Sequence, residues 1–235
     1  MASGKGLLLG ALGGLLLRDS TVRKVGDVAP SFRRVELAGP ALRGVAFHPG
    51  DKVQVLLPGR DVRTFTPLRW DREAGVTELL VYHHADTPAG AWVRELAVGD
   101  VCRFIGPQRS LRLAGPGPVV LFGDETSCAL ARALAAVPGV ELTCVLEATA
   151  PADLRAALGD CAERATLVPR GAAEEHLPTL VDHLRSARAR HPGASLLLTG
   201  RAQAIQRVRA GLKALSLPAP TANRAYWSAG KTGLD

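Results

Sequence analysis

The segment Gly123-Asp124-Glu125-Thr126 is the part of this sequence whose residue types point most clearly to chemistry. An apolar run, Val119 to Phe122, precedes it, and a run typical of a helix, Ala129 to Ala136, follows it. A strand, a tight glycine turn and a helix N-terminus in this order present backbone N–H groups that can hold a phosphate or a ribose. Because carboxylates repel phosphate, Asp124 and Glu125 favour groups that donate hydrogen bonds, such as ribose hydroxyls or a carboxamide. The spacing is not GxGxxG, so we predict no classical dinucleotide fingerprint.

A second motif, Arg63-Thr64-Phe65-Thr66, lies upstream in a strand-like segment. Arg63 can donate two parallel charge-assisted hydrogen bonds to a pyrophosphate. Phe65 comes two residues later and therefore lies on the same face of a strand, while Thr64 and Thr66 face the other side. The motif predicts a strand that anchors phosphates through Arg63 and lies along the rest of the ligand through Phe65. The alternative is an exposed edge strand with a solvated arginine and a core phenylalanine.

A third site is predicted where Thr87-Pro88-Ala89 begins a short helix. Threonine is a favoured N-cap and proline a favoured first-turn residue, so this helix N-terminus is a second candidate phosphate site. Trp92, one turn further on, is expected to pack in the core. Of the adjacent His83-His84, one is expected to face the core and the other the surface or a ligand. The pattern leaves open which one does so.

Two rhythms of secondary structure position these motifs. From Ser20 to Leu113, short strands are separated by turn pairs such as Gly39-Pro40 and Gly99-Asp100, which predicts a small six-stranded antiparallel β-barrel. Its expected strands are Thr21–Val28, Phe32–Leu37, Lys52–Leu57, Arg63–Leu68, Val76–Tyr82 and Val101–Ile105. One short helix is expected within it, around Ala89 to Leu96.

After the linker Ala114–Pro118, strands and helices alternate, which predicts a doubly wound parallel sheet. Its expected strands are Val119–Phe122, Glu141–Leu146, Ala165–Val168 and Ser195–Thr199, and its expected helices are Cys128–Ala136, Ala152–Leu158, Leu177–Ala189 and Gln203–Leu215. The sequence thus predicts a barrel domain over residues 20–114 and a nucleotide-type α/β domain over residues 118–235.

The first residues form a separate expectation. Residues 6–17 are a run of Gly, Leu and Ala that is too short to span a bilayer and carries no Ala-x-Ala cleavage pattern. We expect residues 1–19 to form an apolar helix or extension that docks on the body or on a second subunit. The alternative is a segment that binds a membrane surface or a partner. Because we favour the docked helix, we expect no membrane association.

Composition narrows the class of protein. The formal net charge is +7, but the arginines that carry it are scattered, without the basic stripe and interleaved aromatics expected of a nucleic-acid-binding protein. The cysteines, Cys102, Cys128, Cys144 and Cys161, show no zinc-ligand spacing. We interpret them as reduced and mostly buried, which predicts a cytoplasmic protein without a metal site.

Together the motifs resemble the siderophore-interacting family of FAD-dependent ferric-siderophore reductases, within the ferredoxin–NADP reductase-like superfamily. Arg63-Thr64-Phe65-Thr66 is similar to the Arg-x-Tyr-Ser/Thr flavin signature, and His83 to Trp92 is similar to the family's His, Gly-Pro-Ala and Trp segment. Gly106-Pro107 with Ser110 resembles the loop that closes the barrel. Gly123 to Thr126 and the late Tyr226-Trp227 resemble the nucleotide turn and the C-terminal aromatic pair.

The sequence also departs from the family pattern. Phe65 lacks the tyrosine hydroxyl, and Thr87 stands in place of the usual glycine. Ser127-Cys128-Ala129 replaces a more typical Ala-Leu-Pro. Thr199-Gly200 is followed by Arg201, whereas the family usually has Ala-Gly-Glu. This last change alters the expected contact with the nucleotide, and it could equally favour an additional phosphate.

The resemblance implies an oxidoreductase that moves electrons from NADPH or NADH through FAD to a ferric siderophore, an anionic small molecule. The cofactor carries the redox chemistry, so no catalytic side chain is assigned. The implied cofactor-binding residues are Arg63, Thr64, Phe65, Thr66, His83, His84, Thr87, Pro88, Ala89, Trp92, Gly123, Asp124, Glu125, Thr126, Thr199, Gly200, Tyr226 and Trp227. The candidate substrate residues are Arg69, Arg224 and Lys231.

Two other functions stay open at this point. One is an electron-transfer flavoprotein that serves a protein acceptor such as a ferredoxin or an oxygenase. The other is a flavin-binding module without catalytic activity. The sequence does not distinguish NADH, NADPH and ferredoxin as electron donors.

Overall fold

The computed structural model describes residues 17–84 and 87–230. The chain divides into two compact units, the first ending at Arg112 and the second beginning at Leu113. The expected N-terminal apolar segment lies outside the described residues up to position 16. Its last residues, Leu17 to Asp19, belong to a strand, so the first strand begins earlier than the expected Thr21.

The described part of the first unit is an antiparallel sheet with one α-helix. Its strands are β1 Leu17–Ala29, β2 Phe32–Ala38, β3 Lys52–Leu56, β4 Val62–Phe65, β5 Pro67–Asp71, β6 Val76–Tyr82 and β7 Val101–Gln108, and its helix is α1 Pro88–Glu95. The hydrogen-bonded order is β4-β3-β7-β1-β2-β6-β5, which gives 7 strands. Among the described residues, hydrogen bonding does not join β4 to β5, so the barrel is open between these two edges.

The strand count differs from the predicted six because the expected strand Arg63–Leu68 is two strands. Phe65 on β4 pairs with Val53 of β3, whereas Pro67 on β5 pairs with Leu79 of β6. The chain therefore changes partner at Thr66. Pro67 has no N–H to donate, which suits the first position of an edge strand.

The core of the first unit follows from the alternation of apolar residues. On β3, Val53 and Val55 are buried, while the residues beside them are partly exposed. The strands direct such residues inward, and Trp92 and Val93 of α1 join the same apolar cluster. Full burial of a side chain of this size contributes about 1.5–3 kcal/mol, so the sheet and α1 stabilise each other.

The second unit is a parallel sheet with helices between its strands. The strands are β8 Gly117–Gly123, β9 Val140–Ala148, β10 Ala165–Pro169, β11 Ser195–Arg201 and β12 Ala222–Trp227. The helices are α2 Cys128–Ala135, α3 Pro151–Leu158, α4 Leu177–Arg190 and α5 Ala202–Ala214. The order is β10-β9-β8-β11-β12 and all four pairings are parallel. The predicted fold class is therefore confirmed.

Burial explains why β8 was recognisable in the sequence and β12 was not. Val119 to Phe122 are all buried, as expected of a strand covered on both faces. In β12, Asn223 and Arg224 are exposed, and no apolar run marks the strand. It forms because it extends the sheet along β11, with Thr199 opposite Arg224.

The strand order sets the position of the second site. β8 is the first strand along the chain in this unit and lies in the middle of the sheet, with β9 and β10 on one side and β11 and β12 on the other. Ligands of such sheets bind in the crevice at the carboxyl ends of the strands, where the order reverses. That edge carries Asp124, Glu147, Arg170, Arg201 and Trp227. Within the described ranges, no helix is both long and apolar enough to cross a membrane.

Candidate functional site

Strand β4 places Arg63 and Phe65 on the inward face of the first unit. Arg63 lies opposite Val55 and Phe65 opposite Val53, both of which are core valines. Thr64 is exposed on the other face. The shared face of Arg63 and Phe65, expected from the period of a strand, is therefore present.

The guanidinium of Arg63 keeps most of its hydrogen-bonding capacity. Its Nη1 donates to the carbonyl of Val62 at 2.9 Å and lies 3.7 Å from Oδ1 of Asp61. The side chain is 21% exposed. A guanidinium has five N–H donors, so Arg63 has donors left for an anion such as a pyrophosphate.

Behind Phe65 the structure places Trp92. The two ring centroids are 5.8 Å apart and the rings are tilted by 35°. Trp92 is buried and Phe65 is half-buried. A ligand that lies along the inward face of β4 would therefore contact the Phe65 ring. Trp92 packs behind that ring from the core.

The start of α1 has the cap that the sequence predicted. The hydroxyl of Thr87 accepts a hydrogen bond from the N–H of Gly90 at 3.1 Å, and Pro88 occupies the first helical turn. The positive end of the helix dipole thus lies beside Thr87 and Ala89, where negative charge is stabilised.

The structure also separates the roles of the two histidines. His84 is exposed and stacks on Tyr82, with ring centroids 4.6 Å apart. Nε2 of His83 is buried and has no hydrogen-bond partner among the described residues. Burial lowers the pKa of His83, and the positive charge of Arg94 lowers it further. A buried polar atom without a partner is uncommon and marks a place where a ligand can bond.

In the second unit, Asp124 holds the turn after β8 together. It is fully buried. Its Oδ1 accepts from the N–H of Thr126 at 2.9 Å and from the Thr126 hydroxyl, and its Oδ2 accepts from Nε1 of Trp227 at 2.7 Å. Burial raises the pKa of Asp124, and these donors act in the opposite direction.

Thr199 also supports this turn. Its hydroxyl donates to the carbonyl of Phe122 at 3.0 Å and lies 2.8 Å from Oγ of Ser127. A side chain at Gly123 would collide with Ser127, because an added Cβ would lie 2.2 Å from the Ser127 Oγ. Thr199 and Gly123 therefore shape the turn from within.

Glu125 is bonded within the protein as well. One carboxylate oxygen accepts from the N–H of Thr149, and the other accepts from Nη2 of Arg170 at 2.8 Å. The sequence suggested that Asp124 and Glu125 offer carboxylates to a ribose. Both carboxylates are instead buried and bonded internally, so neither is offered to a ligand. A role for residues 123–126 in nucleotide binding stays a prediction.

Sequence reasoning missed a buried charged cluster at the same edge. Glu147 at the end of β9 is fully buried and contacts His176, Arg201 and Arg170, with N–O distances of 2.7, 3.2 and 3.6 Å. The N–H of Gly171 donates to Nδ1 of His176, so Nε2 carries the proton that is donated to Glu147. The available signal was a glutamate within the run Cys144 to Ala148, which is otherwise apolar.

Arg201 differs from one of its expected roles. The sequence left open that it favours an additional phosphate, but its side chain is 9% exposed, its Nε donates to Glu147 and its Nη1 donates to Glu174. The two carboxylates neutralise the guanidinium, so it has no charge left for a phosphate. Arg201 closes the charged cluster at the end of β11.

The three candidate substrate residues lie in different parts of the chain, and each is described by itself. Arg69 in the first unit donates from Nε to Glu78 at 2.7 Å, and its Nη2 lies 3.6 Å from Glu36. It is therefore part of an ion-pair network on the sheet. Arg224 in the second unit is exposed on β12, and Lys231 lies outside the described residues. Tyr226 is half-buried beside Trp227.

Comparison with known proteins assigns a class to the first site. Residues 60–111 match the family model described as the siderophore-interacting FAD-binding domain. This range contains the Arg63 strand, both histidines and α1. The match confirms the resemblance seen in the motifs and identifies FAD as the cofactor of this type of domain. The chain has no significant match among curated protein sequences.

Solved structures share the fold over nearly the whole chain. A siderophore utilization protein from T. fusca is 23% identical with a TM-score of 0.74, and the alignment covers 93% of this chain and 95% of that one. The siderophore-interacting protein SipS from Aeromonas hydrophila is also 23% identical with a TM-score of 0.74, covering 92% and 93%. Phthalate dioxygenase reductase is 13% identical with a TM-score of 0.71, covering 92% and 70%. The chain therefore has a ferredoxin-reductase-like fold.

Proposed function

We propose that this protein is an FAD-dependent NAD(P)H oxidoreductase that reduces ferric siderophores and thereby releases iron. The observation that carries the proposal is the FAD-binding family match over residues 60–111, because it spans two side chains that have unused bonding capacity, Arg63 and His83. Arg63 has free donors, and Nε2 of His83 is buried without a partner among the described residues. These residues fit a flavin dinucleotide.

The residues of the first unit then have distinct roles. Arg63 binds the diphosphate, and the Thr87-capped start of α1 stabilises its negative charge. Phe65, supported by Trp92, packs against the flavin, and Nε2 of His83 forms a hydrogen bond to the cofactor. Bound FAD supplies the chemistry, because it accepts a hydride and passes on single electrons.

The second unit is proposed to bind the electron donor NADPH or NADH. Its crevice lies at the carboxyl edge of a parallel sheet, at the turn formed by Gly123 to Thr126. The fold is shared with phthalate dioxygenase reductase, which is described as transferring electrons from pyridine nucleotides to a [2Fe-2S] centre. The roles of Thr199, Gly200 and Tyr226 in this site are part of the same proposal.

The proposed acceptor is a ferric siderophore. Support comes from the family match and from two structural neighbours described as siderophore proteins. The formal net charge of +7 favours an anionic complex. A second candidate is a protein acceptor with an iron–sulfur centre, which the structural similarity to phthalate dioxygenase reductase favours.

The test is anaerobic stopped-flow reduction of the FAD-loaded protein by NADPH and by NADH, followed by mixing with an acceptor. Bleaching of the flavin by a nucleotide and reoxidation by a ferric hydroxamate or catecholate siderophore are expected. Faster reoxidation by an oxidised [2Fe-2S] ferredoxin would favour the second candidate. A protein that stays colourless after incubation with FAD would overturn the flavin assignment.

A further inference from the structure

Arg33 connects strand β2 to the carboxyl end of helix α1. It lies on the same face of β2 as Val35, which belongs to the apolar core of the first unit. Nη1 of Arg33 donates to the carbonyl of Val93, and the same nitrogen donates to the carbonyl of Arg94 at 2.9 Å. Both carbonyls lie in the last turn of α1. A residue of the sheet therefore binds the end of α1 that is opposite its Thr87 cap.

These bonds fit the chemistry of a helix end. The last carbonyls of an α-helix have no partner within the helix, and this end carries the negative pole of the helix dipole. A guanidinium supplies donors and positive charge there. Nε of Arg33 also lies 2.9 Å from Oδ1 of Asp27, which stands directly opposite on β1. The side chain of Arg33 is 16% exposed, so it is held by two strands while it binds the helix.

The apolar contacts of α1 do not define its position as closely as these hydrogen bonds do. The buried residues of the helix are Gly90, Trp92 and Val93. Apolar packing is non-directional, whereas a hydrogen bond requires a defined distance and angle. The helix has 8 residues and is therefore about 12 Å long. Because it is rigid over this length, a shift at its carboxyl end also moves its start.

Arg33 is also near His83, the other group of this region that is proposed to bind FAD. The N–H of His83 donates to the carbonyl of Ser31 at 2.9 Å, two residues before Arg33 on the chain. Burial lowers the pKa of His83, and so do the charges of Arg94 and Arg33, against the opposing effect of Asp27. Arg33 therefore joins two parts of the proposed cofactor site, the end of β6 and helix α1.

We propose that Arg33 is a positioning residue for the cofactor, because it holds the carboxyl end of α1 and thereby sets where the start of that helix meets the FAD diphosphate. The inference rests on the proposed function, since that function assigns FAD to this unit. Arg33 acts through the helix and does not itself bind the cofactor. Without Arg33, α1 keeps its apolar contacts but shifts, so the positive end of its dipole is no longer aligned with the diphosphate.

The test is fluorescence titration of the apo-protein with FAD at a temperature at which every variant is folded. Arg33→Met keeps the apolar stem but removes the donors, and we expect it to bind FAD about tenfold more weakly, as for one weakened charge-assisted bond. Arg33→Lys keeps the charge and a donor, so its affinity should return to within about threefold of that of the unchanged protein. Arg23→Met is the control, because Arg23 is 61% exposed on β1 and its ion pair is with Glu36.

Thermal unfolding separates positioning from a contribution to stability alone. A residue that only stabilises the fold lowers the melting temperature and leaves the FAD affinity of the folded protein unchanged. Weak binding by Arg33→Met that Arg33→Lys restores supports the proposal. Normal binding by Arg33→Met overturns it, and equal losses in Arg33→Met and Arg33→Lys overturn it as well, because the donors to α1 would then not be the cause.

Two further outcomes are decisive. If Arg33→Met does not fold, Arg33→Gln replaces it, because this variant has a shorter, uncharged side chain, and normal FAD affinity in Arg33→Gln would overturn the proposal. Absence of FAD binding by the unchanged protein would overturn the positioning role together with the proposed function. Normal binding by the unchanged protein and by Arg33→Met would overturn the positioning role alone.

A double-mutant cycle tests the path through α1. Thr87→Ala removes the cap at the start of the helix, about 12 Å from the end that Arg33 holds. The effects of residues this far apart usually add as free energies, so independent losses of affinity would multiply. If Arg33 acts through α1, the double variant should lose at least about threefold less than that product, because a shifted helix no longer presents its start to the diphosphate. A loss equal to the product would overturn the proposal.

Discussion

The carboxylate of Asp124 occupies the space that a side chain at Gly200 would need. A Cβ at position 200 would lie 2.6 Å from Cγ of Asp124, and the φ angle of Gly200 is +90°. Two separate constraints therefore require glycine at this position. One is the left-handed backbone, and the other is the buried carboxylate that organises the turn after β8.

The first prediction separates these two constraints. Gly200→Ala is expected to lower the free energy of unfolding by about 1–2 kcal/mol through backbone strain and by about 1–3 kcal/mol more by displacing Asp124 from its donors. Gly193→Ala is the matched control, because Gly193 has a φ angle of +86° and nothing within 4 Å of the added Cβ. Urea unfolding monitored by circular dichroism measures both. Equal losses in the two variants would show that Asp124 adjusts without cost.

Removing the side chain that neutralises Glu147 should destabilise the second unit. Arg201→Met leaves the buried Glu147 carboxylate with fewer counter-charges, which is expected to cost about 3 kcal/mol or more. Arg224→Ala, on an exposed position of β12, should change the free energy of unfolding by less than about 0.5 kcal/mol. Chemical unfolding of both variants checks this. A stable Arg201→Met protein would mean that the charge of Arg170 and the hydrogen bond from His176 are sufficient for Glu147.

The contrast between Asp124 and Glu147 shows how far the sequence could predict this site. The turn at Asp124 was recognisable because an apolar strand, a glycine and a helix stand in order along the chain. Its carboxylate was assigned to a ligand because no local pattern reveals that Trp227, 103 residues away, donates a hydrogen bond to it. Glu147 was missed for the same reason, since its partners follow other strands. Strand order creates these contacts, and a period of two or of 3.6 residues carries no information about them.

The first unit gives a similar lesson on Arg69. The sequence marked it as a candidate for substrate binding, but the register places Glu36 directly opposite Glu78 and Glu78 opposite Arg69. Two like charges on neighbouring strands repel each other unless a cation lies between them. Arg69 contacts both glutamates, with Nη2 3.6 Å from Glu36. This pairing depends on a strand alignment that the sequence did not specify.

Arg69 and Glu78 lead to a third prediction. Arg69→Met is expected to destabilise the first unit by about 1–2 kcal/mol, because the buried carboxylate of Glu78 loses a donor and faces Glu36 with less compensation. Arg72→Ala, exposed in the turn after β5, serves as the control. Thermal unfolding at pH 7 tests both variants. If they are equally stable, Arg34 is sufficient to neutralise Glu78.

The same pair predicts a dependence on pH. Burial acts to raise the pKa of Glu78, but hydrogen bonds and charges from Arg69 and Arg34 outweigh it and hold the pKa below the ordinary value of 4.5. Its contribution to stability is therefore fully present above about pH 5 and is lost as the pH falls through the folded-state pKa. In Glu78→Gln, the free energy of unfolding should fall less steeply between pH 5 and pH 3 than in the unchanged protein. Parallel curves would show that Glu78 does not titrate differently on folding.

The last prediction concerns the cofactor. Arg63→Ala should weaken FAD binding by about ten- to a hundredfold for each charge-assisted hydrogen bond that is lost, since such a bond contributes about 1.5–3 kcal/mol. Arg63→Lys retains the charge but not the paired donors, so its affinity for FAD should lie between that of the unchanged protein and that of Arg63→Ala. His83→Phe removes the buried Nε2 and should weaken binding by about tenfold. Arg72→Ala is again the control, because its side chain is exposed.

Fluorescence titration of the apo-protein with FAD measures all four variants, and circular dichroism checks that each is folded. If Arg63→Ala binds FAD as tightly as Arg72→Ala, the donors of Arg63 face solvent and the diphosphate lies elsewhere. If His83→Phe binds normally while Arg63→Ala does not, the buried Nε2 has no role in binding the cofactor. Loss of affinity in both variants, with normal binding by the control, would place FAD between the β4 strand and the start of α1.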